Sequence, residues 1–218
     1  MNNISQNAII LPNVKLGKNC IIEDFCVIGK TGKNSQNKKT IIGDNAHIRT
    51  GTVIYAGIKI GNNFRTGDGA KIYENNKFGN NVTIGSNSII LNNCSLSDNI
   101  SIHALVELAE HTKIKENSWI GPGVKMANMI HPKRYNCQDK KACEKRGAPK
   151  IGKEVRIGAN ATIGAFVTIG DNAIVASGAN VISNIAKQTV AVGNPAKSIK
   201  KTDKIVCRYD KNNFPYRK

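Results

Sequence analysis

The sequence is poor in aromatic residues, which make up only 5% of its 218 residues. A chain of this length can bury a sizeable core, but so few rings exclude an ordinary globular core built around Phe, Tyr and Trp. The apolar residues are instead mostly Ile and Val, and Gly and Asn are frequent. This balance is typical of many short β-branched strands separated by tight turns.

Acidic residues are also scarce: the sequence has 15 Asp and Glu against 32 Lys and Arg, which gives a net charge of +17. A basic surface attracts anions, such as nucleic acids or phosphorylated small molecules, although a lysine-rich solvated surface has the same charge. The basic residues are spread along the chain without a helix-turn-helix pattern, zinc-finger spacing or an aromatic ribonucleoprotein motif. We therefore do not expect nucleic acid as a partner.

Long apolar runs are missing, so we expect no insertion into a membrane. Residues 1–12 lack the basic start and apolar stretch of a signal peptide. We expect a cytoplasmic protein whose cysteines are thiols or metal ligands and not disulfides.

A six-residue repeat of aliphatic residues is the main feature that is present. From Ile42 to Ile120 every sixth residue is Ile or Leu except Thr66 and Phe78, and similar blocks run over 4–28 and 151–181. The position four residues later is small or β-branched, and Gly often follows the aliphatic residue, where a backbone turn favours it. Asn recurs nearby and tolerates left-handed φ.

This repeat predicts a triangular prism in which each hexad supplies one short strand and one corner. Three hexads close a coil, so residues 18 apart stack, with coils about 4.8 Å apart. The period does not define the hand of the prism, and parallel crossovers are normally right-handed. Stability should accumulate from coil to coil, because each coil contacts only its neighbours.

The pattern resembles the hexapeptide-repeat acyltransferase family over residues 4–197, and most closely its sugar N- and O-acetyltransferase branch. The resemblance implies an all-β fold, a left-handed parallel β-helix of about eight coils. We expect this domain over residues 1–197, with loop insertions at 30–41 and 126–150. A basic tail over 198–218 follows, which could contain a short helix and cover the open edge of the last coil.

The segment from Ala191 to Lys197 is similar to the G-N-P-A-K segment that closes the family's prisms. The resemblance implies that acetyl-CoA lies along the last coils, across a subunit boundary of a homotrimer. Small residues let backbone amides approach its pantetheine arm, and a lysine meets phosphate. The expected coenzyme contacts are Gly121, Gly164, Ala165, Ala176, Gly193, Asn194 and Lys197.

His131 is the first candidate for a catalytic base. It precedes Pro132 in the longer loop and corresponds to the histidine before proline in the galactoside and maltose acetyltransferases. A positioned imidazole can take a proton near neutral pH. A solvated loop histidine is the alternative interpretation.

His103 is the second candidate, because it occupies a corner position between two bare corners, Gly85 and Gly121. The stretch from Ile102 to Glu110 is similar to one in sugar N-acyltransferases, which implies that Glu110 orients an imidazole or binds an amine. An interface hydrogen bond for His103 and a solvated carboxylate for Glu110 are the alternatives.

Other residues have simpler interpretations. Tyr55 and Tyr73 should stack along one edge, in trimer packing or as a platform for a nucleotide base. Three cysteines at inward positions, Cys20, Cys26 and Cys94, should be core residues. Cys137 and Cys143 share the long loop with His131, but their spacing does not suit zinc, and we expect no metal.

The leading functional hypothesis is acetyl transfer from acetyl-CoA to the amino group of a nucleotide-linked amino sugar, in surface polysaccharide biosynthesis. An O-acetyltransferase acting on a saccharide or other small hydroxyl is the alternative. A non-catalytic scaffold is less favoured. A γ-type carbonic anhydrase is disfavoured, because the four histidines do not recur at the stacking interval that three zinc ligands would need.

Overall fold

Three parallel sheets form the sides of a triangular prism in the computed structural model, which describes residues 1–130 and 146–217. Successive strands visit the sheets in turn, so each sheet takes every third strand. The all-β, left-handed parallel β-helix predicted from the repeat is confirmed.

The strands are mostly two residues long. Sheet A contains β1 Asn3–Ile4, β4 Ile21–Ile22, β7 His47–Ile48, β10 Arg65–Thr66, β13 Thr83–Ile84, β16 Ser101–Ile102, β19 Trp119–Ile120, β22 Arg156–Ile157, β25 Ile174–Val175, β27 Thr189–Val192 and β28 Lys197–Lys201. Sheet B contains β2 Ile9–Ile10, β5 Val27–Lys30, β8 Val53–Tyr55, β11 Lys71–Ile72, β14 Ile89–Ile90, β17 Glu107–Leu108, β20 Lys125–Met126, β23 Thr162–Ile163 and β26 Asn180–Val181. Sheet C contains β3 Val14–Leu16, β6 Thr40–Ile42, β9 Lys59–Ile60, β12 Lys77–Phe78, β15 Ser95–Leu96, β18 Lys113–Ile114, β21 Lys150–Ile151 and β24 Thr168–Ile169.

The register follows the predicted stacking of residues 18 apart, as in the pair Ile72↔Ile90. Loops add residues without changing this order, because Leu16 pairs with Ile42 and Ile114 pairs with Ile151. Within a strand the second residue is buried and the first faces outward. The aliphatic residues therefore fill the interior of the prism, and the residues that precede them point outward from its faces.

The coil count is slightly higher than the eight predicted. Eight coils have a strand on all three sides, and a ninth closes through an isolated bridge between Ile185 and Ile169. Strand β27 then begins a tenth coil. The sequence count stopped at Val181 because the next hexad does not have the repeat's regular pattern.

The C-terminal tail begins as a strand, where the sequence allowed for a helix. Strand β28 pairs antiparallel with β27, and a single 3-10 turn, η1 at Thr202–Lys204, follows it. An open edge in a sheet attracts other strands, and β28 covers the edge of β27.

Three cysteines pack inside the prism as predicted: Cys20, Cys26 and Cys94 are buried. Burial raises the pKa of the Cys94 thiol to about 12, because the thiolate would lose its hydration. All three side chains therefore pack as part of the hydrophobic core.

Candidate active site

His103 and Trp119 form a contact pair on the sheet A side of the prism. Trp119 is the outward residue of β19, and His103 is the corner residue that follows β16. The indole Nε1–H donates a hydrogen bond to His103 Nε2 at 2.7 Å. The two rings meet edge to face, with centroids 4.9 Å apart.

This contact defines the tautomer of the neutral imidazole. An indole N–H can only donate, so Nε2 of His103 accepts and the ring proton is on Nδ1. If Nε2 were protonated, its N–H would face the indole N–H, and two donors cannot form a hydrogen bond with each other. Trp119 therefore holds the ring in the form that offers Nε2 as a proton acceptor.

A groove with a volume of about 420 Å³ lies on the N-terminal side of this pair. The outward rows of β7, β10, β13 and β16 and the corners beside them form its walls. Its lining includes His47, Arg49, Arg65, Thr83, Ser101 and His103.

Two bare corners, Gly67 and Gly85, form the middle of the groove. A Cβ on Gly67 would lie 2.4 Å from the backbone nitrogen of Ser86, and one on Gly85 would lie 2.2 Å from the carbonyl carbon of His103. The next coil therefore excludes side chains at both positions. The groove is open because the backbone at these two corners leaves no room for a Cβ.

His47 is held at the groove by Glu23. His47 Nε2 and Glu23 Oε1 are 2.7 Å apart, and the second carboxylate oxygen accepts hydrogen bonds from the backbone N–H and the hydroxyl of Thr50. The hydrogen bond from His47 holds the pKa of the Glu23 carboxyl below its usual value. Glu23 is thus ionised, and among the described residues it forms no salt bridge with either arginine of the groove.

A second depression, of about 480 Å³, lies on the C-terminal side of Trp119. Arg156 and Ile174 continue the outward row of sheet A beyond Trp119, and Ala176 lies at the corner after β25. Tyr216 from the tail completes the wall. The His103–Trp119 pair consequently separates two depressions on one side of the molecule.

The predicted coenzyme residues divide between two edges of the prism. Gly121 and Ala176 lie on the edge after sheet A, whereas Gly164 and Ala165 lie on the edge after sheet B. Ala176 lines the second depression.

The closing segment lies at the end of the prism, where Gly193 has a φ of 94°. Asn194 accepts a hydrogen bond of 3.0 Å from the Asn180 side chain, and exposed Lys197 starts β28.

Glu110 has a partner that the sequence did not reveal. Its carboxylate lies 2.8 Å from the guanidinium of Arg146, a residue near the C-terminal end of the long loop. In the same corner row, two coils away, buried Glu74 accepts hydrogen bonds from the Asn34 backbone and the Ser35 hydroxyl of the first loop. Both loops leave the edge between sheets B and C, so carboxylates of one corner row tie down chain from each insertion.

His103 and Glu110 lie on different edges and make different contacts, so the structure does not bring these two predicted site residues together within one chain. His131, Cys137 and Cys143 lie outside the described residues.

The predicted stacking of Tyr55 on Tyr73 is confirmed, with ring centroids 4.8 Å apart and an angle of 11° between the planes. Lys30 caps this stack at 5.3 Å from the Tyr55 ring. The stack lies on the edge after sheet B, away from the groove.

Within residues 1–130 and 146–217, no three His, Cys, Asp or Glu side chains are grouped as ligands of a metal ion. In the same part of the chain, no helix has the length and apolar character needed to cross a bilayer.

Together, the triangular coils, the six-residue period and the corner glycines define a hexapeptide-repeat protein of the left-handed β-helix class. A family model described as "Bacterial transferase hexapeptide (six repeats)" matches residues 148–183. The resemblance to the hexapeptide-repeat family is thereby confirmed for the repeat and the fold. No curated protein matches the sequence significantly.

Solved structures share the fold at low identity. A UDP-N-acetylglucosamine acyltransferase from Bacteroides fragilis superposes with a TM-score of 0.65 at 21% identity, covering 91% of this chain and 74% of that one. The UDP-N-acetylglucosamine acyltransferase from Campylobacter jejuni gives 0.58 at 18% identity, over 91% and 75% of the two chains.

The sequence pointed to His103 but not to its surroundings. Trp119 follows His103 by 16 residues and not by 18, so the stacking rule alone does not pair them. Arg49 and Arg65 were passed over as scattered surface charge. Mapping each face's outward row at the 18-residue interval would have placed Arg65, Thr83 and Ser101 in line with Trp119.

Proposed function

We propose that the protein is an acyltransferase that moves an acetyl group from acetyl-CoA to the amino group of a nucleotide-linked amino sugar. The reaction would take place in the cytoplasm and serve surface polysaccharide biosynthesis. The observation that carries the proposal is the His103–Trp119 pair between two depressions. A transferase needs this arrangement, with a donor site and an acceptor site that meet at one proton acceptor.

The chemistry needs no covalent enzyme intermediate. The acceptor nitrogen attacks the thioester carbon, the N–C bond forms, and the C–S bond breaks. His103 Nε2 takes the proton that the nitrogen loses and returns it to the departing coenzyme sulfur. The indole of Trp119 gives up its hydrogen bond when the substrate nitrogen takes its place.

The donor side of the site is the C-terminal depression and the coils beyond it. Ala176 and Arg156 line this depression, and Lys197 and Asn194 lie at the end of the same prism. Small corner residues let a pantetheine arm lie close to the backbone, and a lysine offers a point charge to phosphate. Backbone N–H groups at a corner would stabilise the oxyanion of the attacked carbonyl.

Two further observations support a sugar acceptor and a multimeric site. The structures that share the fold include acyltransferases named for UDP-N-acetylglucosamine. The expected coenzyme residues lie on two margins of sheet B, and a cyclic homotrimer would bring the edge of one protomer against that of the next.

An O-acetyltransferase is the second candidate. A hydroxyl must lose its proton as it attacks, so the base would be indispensable, whereas an amine is already neutral at moderately high pH. His131 remains a candidate for this base, and Glu110 remains a candidate for orienting an imidazole.

The deciding experiment is a screen of acceptors with acetyl-CoA, read by release of the free coenzyme thiol and by mass spectrometry of the product. Amino-sugar nucleotides are compared with the matching hydroxyl sugars. We expect N-acetylated product from at least one amino-sugar nucleotide. Product from hydroxyl acceptors alone would establish the second candidate, and failure to bind coenzyme A would leave a scaffold.

A further inference from the structure

We propose that the groove between His47 and His103 is the binding site for the diphosphate of a nucleoside diphosphate, held chiefly by Arg65 and Arg49. This inference rests on the proposed function, since it assigns the acceptor to the N-terminal side of the His103–Trp119 pair. It gives the basic groove a ligand of defined chemistry.

The charge of the groove is the first argument. Arg65 is exposed and has no carboxylate within salt-bridge distance among the described residues. Arg49 has only a distant partner, Asp68 at 4.0 Å, and both side chains are more than half exposed. Two weakly compensated guanidinium groups therefore line one groove, and the planar fork of arginine suits bidentate contact with phosphate.

The shape of the groove is the second argument. Because Gly67 and Gly85 cannot carry side chains, the floor between Arg49 and His103 is backbone. Arg49 and His103 are the corner residues of coils three spacings apart, a span of about 14 Å. An extended ligand can lie along this trough with one end at the arginines and the other at the imidazole.

The order of the outward row is the third argument. Arg65, Thr83, Ser101 and Trp119 follow one another on consecutive strands of sheet A. A phosphate at Arg65 therefore lies about 10 Å from the level of Ser101, beside His103. The side chains of Thr83 and Ser101 line the stretch of groove between Arg65 and His103. A sugar linked to that phosphate would occupy this stretch with its amino group towards His103.

Coenzyme A also contains a diphosphate, so the experiment must separate the two sources. Binding of UDP, GDP and dTDP to the full chain is measured by calorimetry at low salt, beside binding of coenzyme A. We expect Arg65→Ala to weaken the best nucleoside diphosphate roughly tenfold or more, which is the usual worth of a charged hydrogen bond. Coenzyme A affinity should stay unchanged.

Three variants sharpen this test. Arg65→Lys should lose part of the affinity, because a point charge replaces the fork. Arg49→Ala should weaken the same ligand and not coenzyme A. Lys77 is an exposed cation on the outward row of sheet C, far from the groove. Lys77→Ala therefore removes one positive charge elsewhere and should change neither affinity.

Each possible result either supports or contradicts the assignment of the groove to the nucleoside diphosphate. An equal or larger loss of coenzyme A affinity in Arg65→Ala would assign the groove to the donor and overturn the proposal, as would the absence of binding by all three diphosphates. The measurement needs no turnover. If Arg65-dependent diphosphate binding is found without acetyl transfer, the groove assignment stands and the proposed function fails, whereas transfer with an unchanged KM in Arg65→Ala overturns the groove alone.

Discussion

At the scale of single residues, the site depends on a contact that stacking rules do not reveal. The bare corners at Gly85 and Gly121 predicted room beside His103 for a ligand or a neighbouring subunit, and Gly85 lines the same groove as His103. The partner that orients it, Trp119, reaches back from the next coil, and the length of an indole sets that contact. Small corners can be found from the period, but contacts between large side chains of adjacent rows depend on rotamers.

We expect His103→Ala to lower kcat by roughly 10²–10⁴, the usual worth of general base catalysis. Trp119→Phe keeps an aromatic ring but removes the N–H that holds Nε2. Because the acceptor must displace this hydrogen bond of about 1 kcal/mol, its loss should lower KM for the acceptor by up to roughly fivefold, while kcat and the melting temperature stay near those of the parent. Steady-state kinetics with one amino-sugar acceptor measure both effects.

His111→Ala serves as the matched control, because His111 is an exposed histidine on another edge. His131→Ala is the competing variant. A larger loss in His131→Ala than in His103→Ala would make His131 the base. Substantial activity in both variants at high pH would mean that the amine needs no strong base.

At the scale of strands and turns, the predicted pattern extends beyond the aliphatic row. Asn was expected to tolerate left-handed φ, and Asn45, Asn63, Asn81 and Asn172 all have φ between 57° and 59°. The side chains also form a ladder along the edge before sheet A, in which each amide bonds to the amide of the next coil. The bonded pairs are Asn19–Asn45, Asn45–Asn63, Asn63–Asn81, Asn81–Asn99 and Asn99–Asn117.

Asn81 allows the two roles of this row to be separated. Asn81→Gly keeps the left-handed backbone and removes two amide hydrogen bonds of 2.8 Å, whereas Asn81→Ala also introduces backbone strain. We expect the Ala variant to be less stable than the Gly variant by about 1 kcal/mol, the cost of a left-handed conformation for a residue with a Cβ. Midpoints of denaturant unfolding measure the difference. Equal midpoints would mean that asparagine stabilises this position through the amide hydrogen bonds alone and not through its tolerance of left-handed φ.

Elements that depend on an exposed edge were harder to predict than elements inside the repeat. Strand β28 follows no hexad, and its antiparallel pairing with β27 exists only because the last coil leaves an edge to cover. The anchoring of the loops by Glu74 and Glu110 is similar, since it requires knowing that both insertions leave the same edge of the prism. The period fixes the prism, whereas contacts at its ends and loops arise from tertiary structure.

At the scale of the whole molecule, the site proposed for coenzyme A spans two edges of one prism. Ala176 lies on the edge after sheet A and Ala165 on the edge after sheet B, at opposite margins of sheet B. A cyclic trimer would join one of these edges to the other edge of the next protomer, which makes each site a shared one. We therefore expect light scattering to give three times the chain mass of 23.6 kDa, and a stable active monomer would contradict the arrangement.

Mixed trimers test the shared site directly. Ala176→Trp should block the half-site on one edge and Ala165→Trp the half-site on the other, so each variant alone should be inactive while it still forms trimers. Co-expression with two affinity tags and tandem purification yields rings that contain both variants. In any such ring, one boundary joins an intact edge after sheet A to an intact edge after sheet B, so activity should return to about one third of the parent value. If the site lay within a single protomer, every site in these rings would carry a block, and mixing would restore nothing.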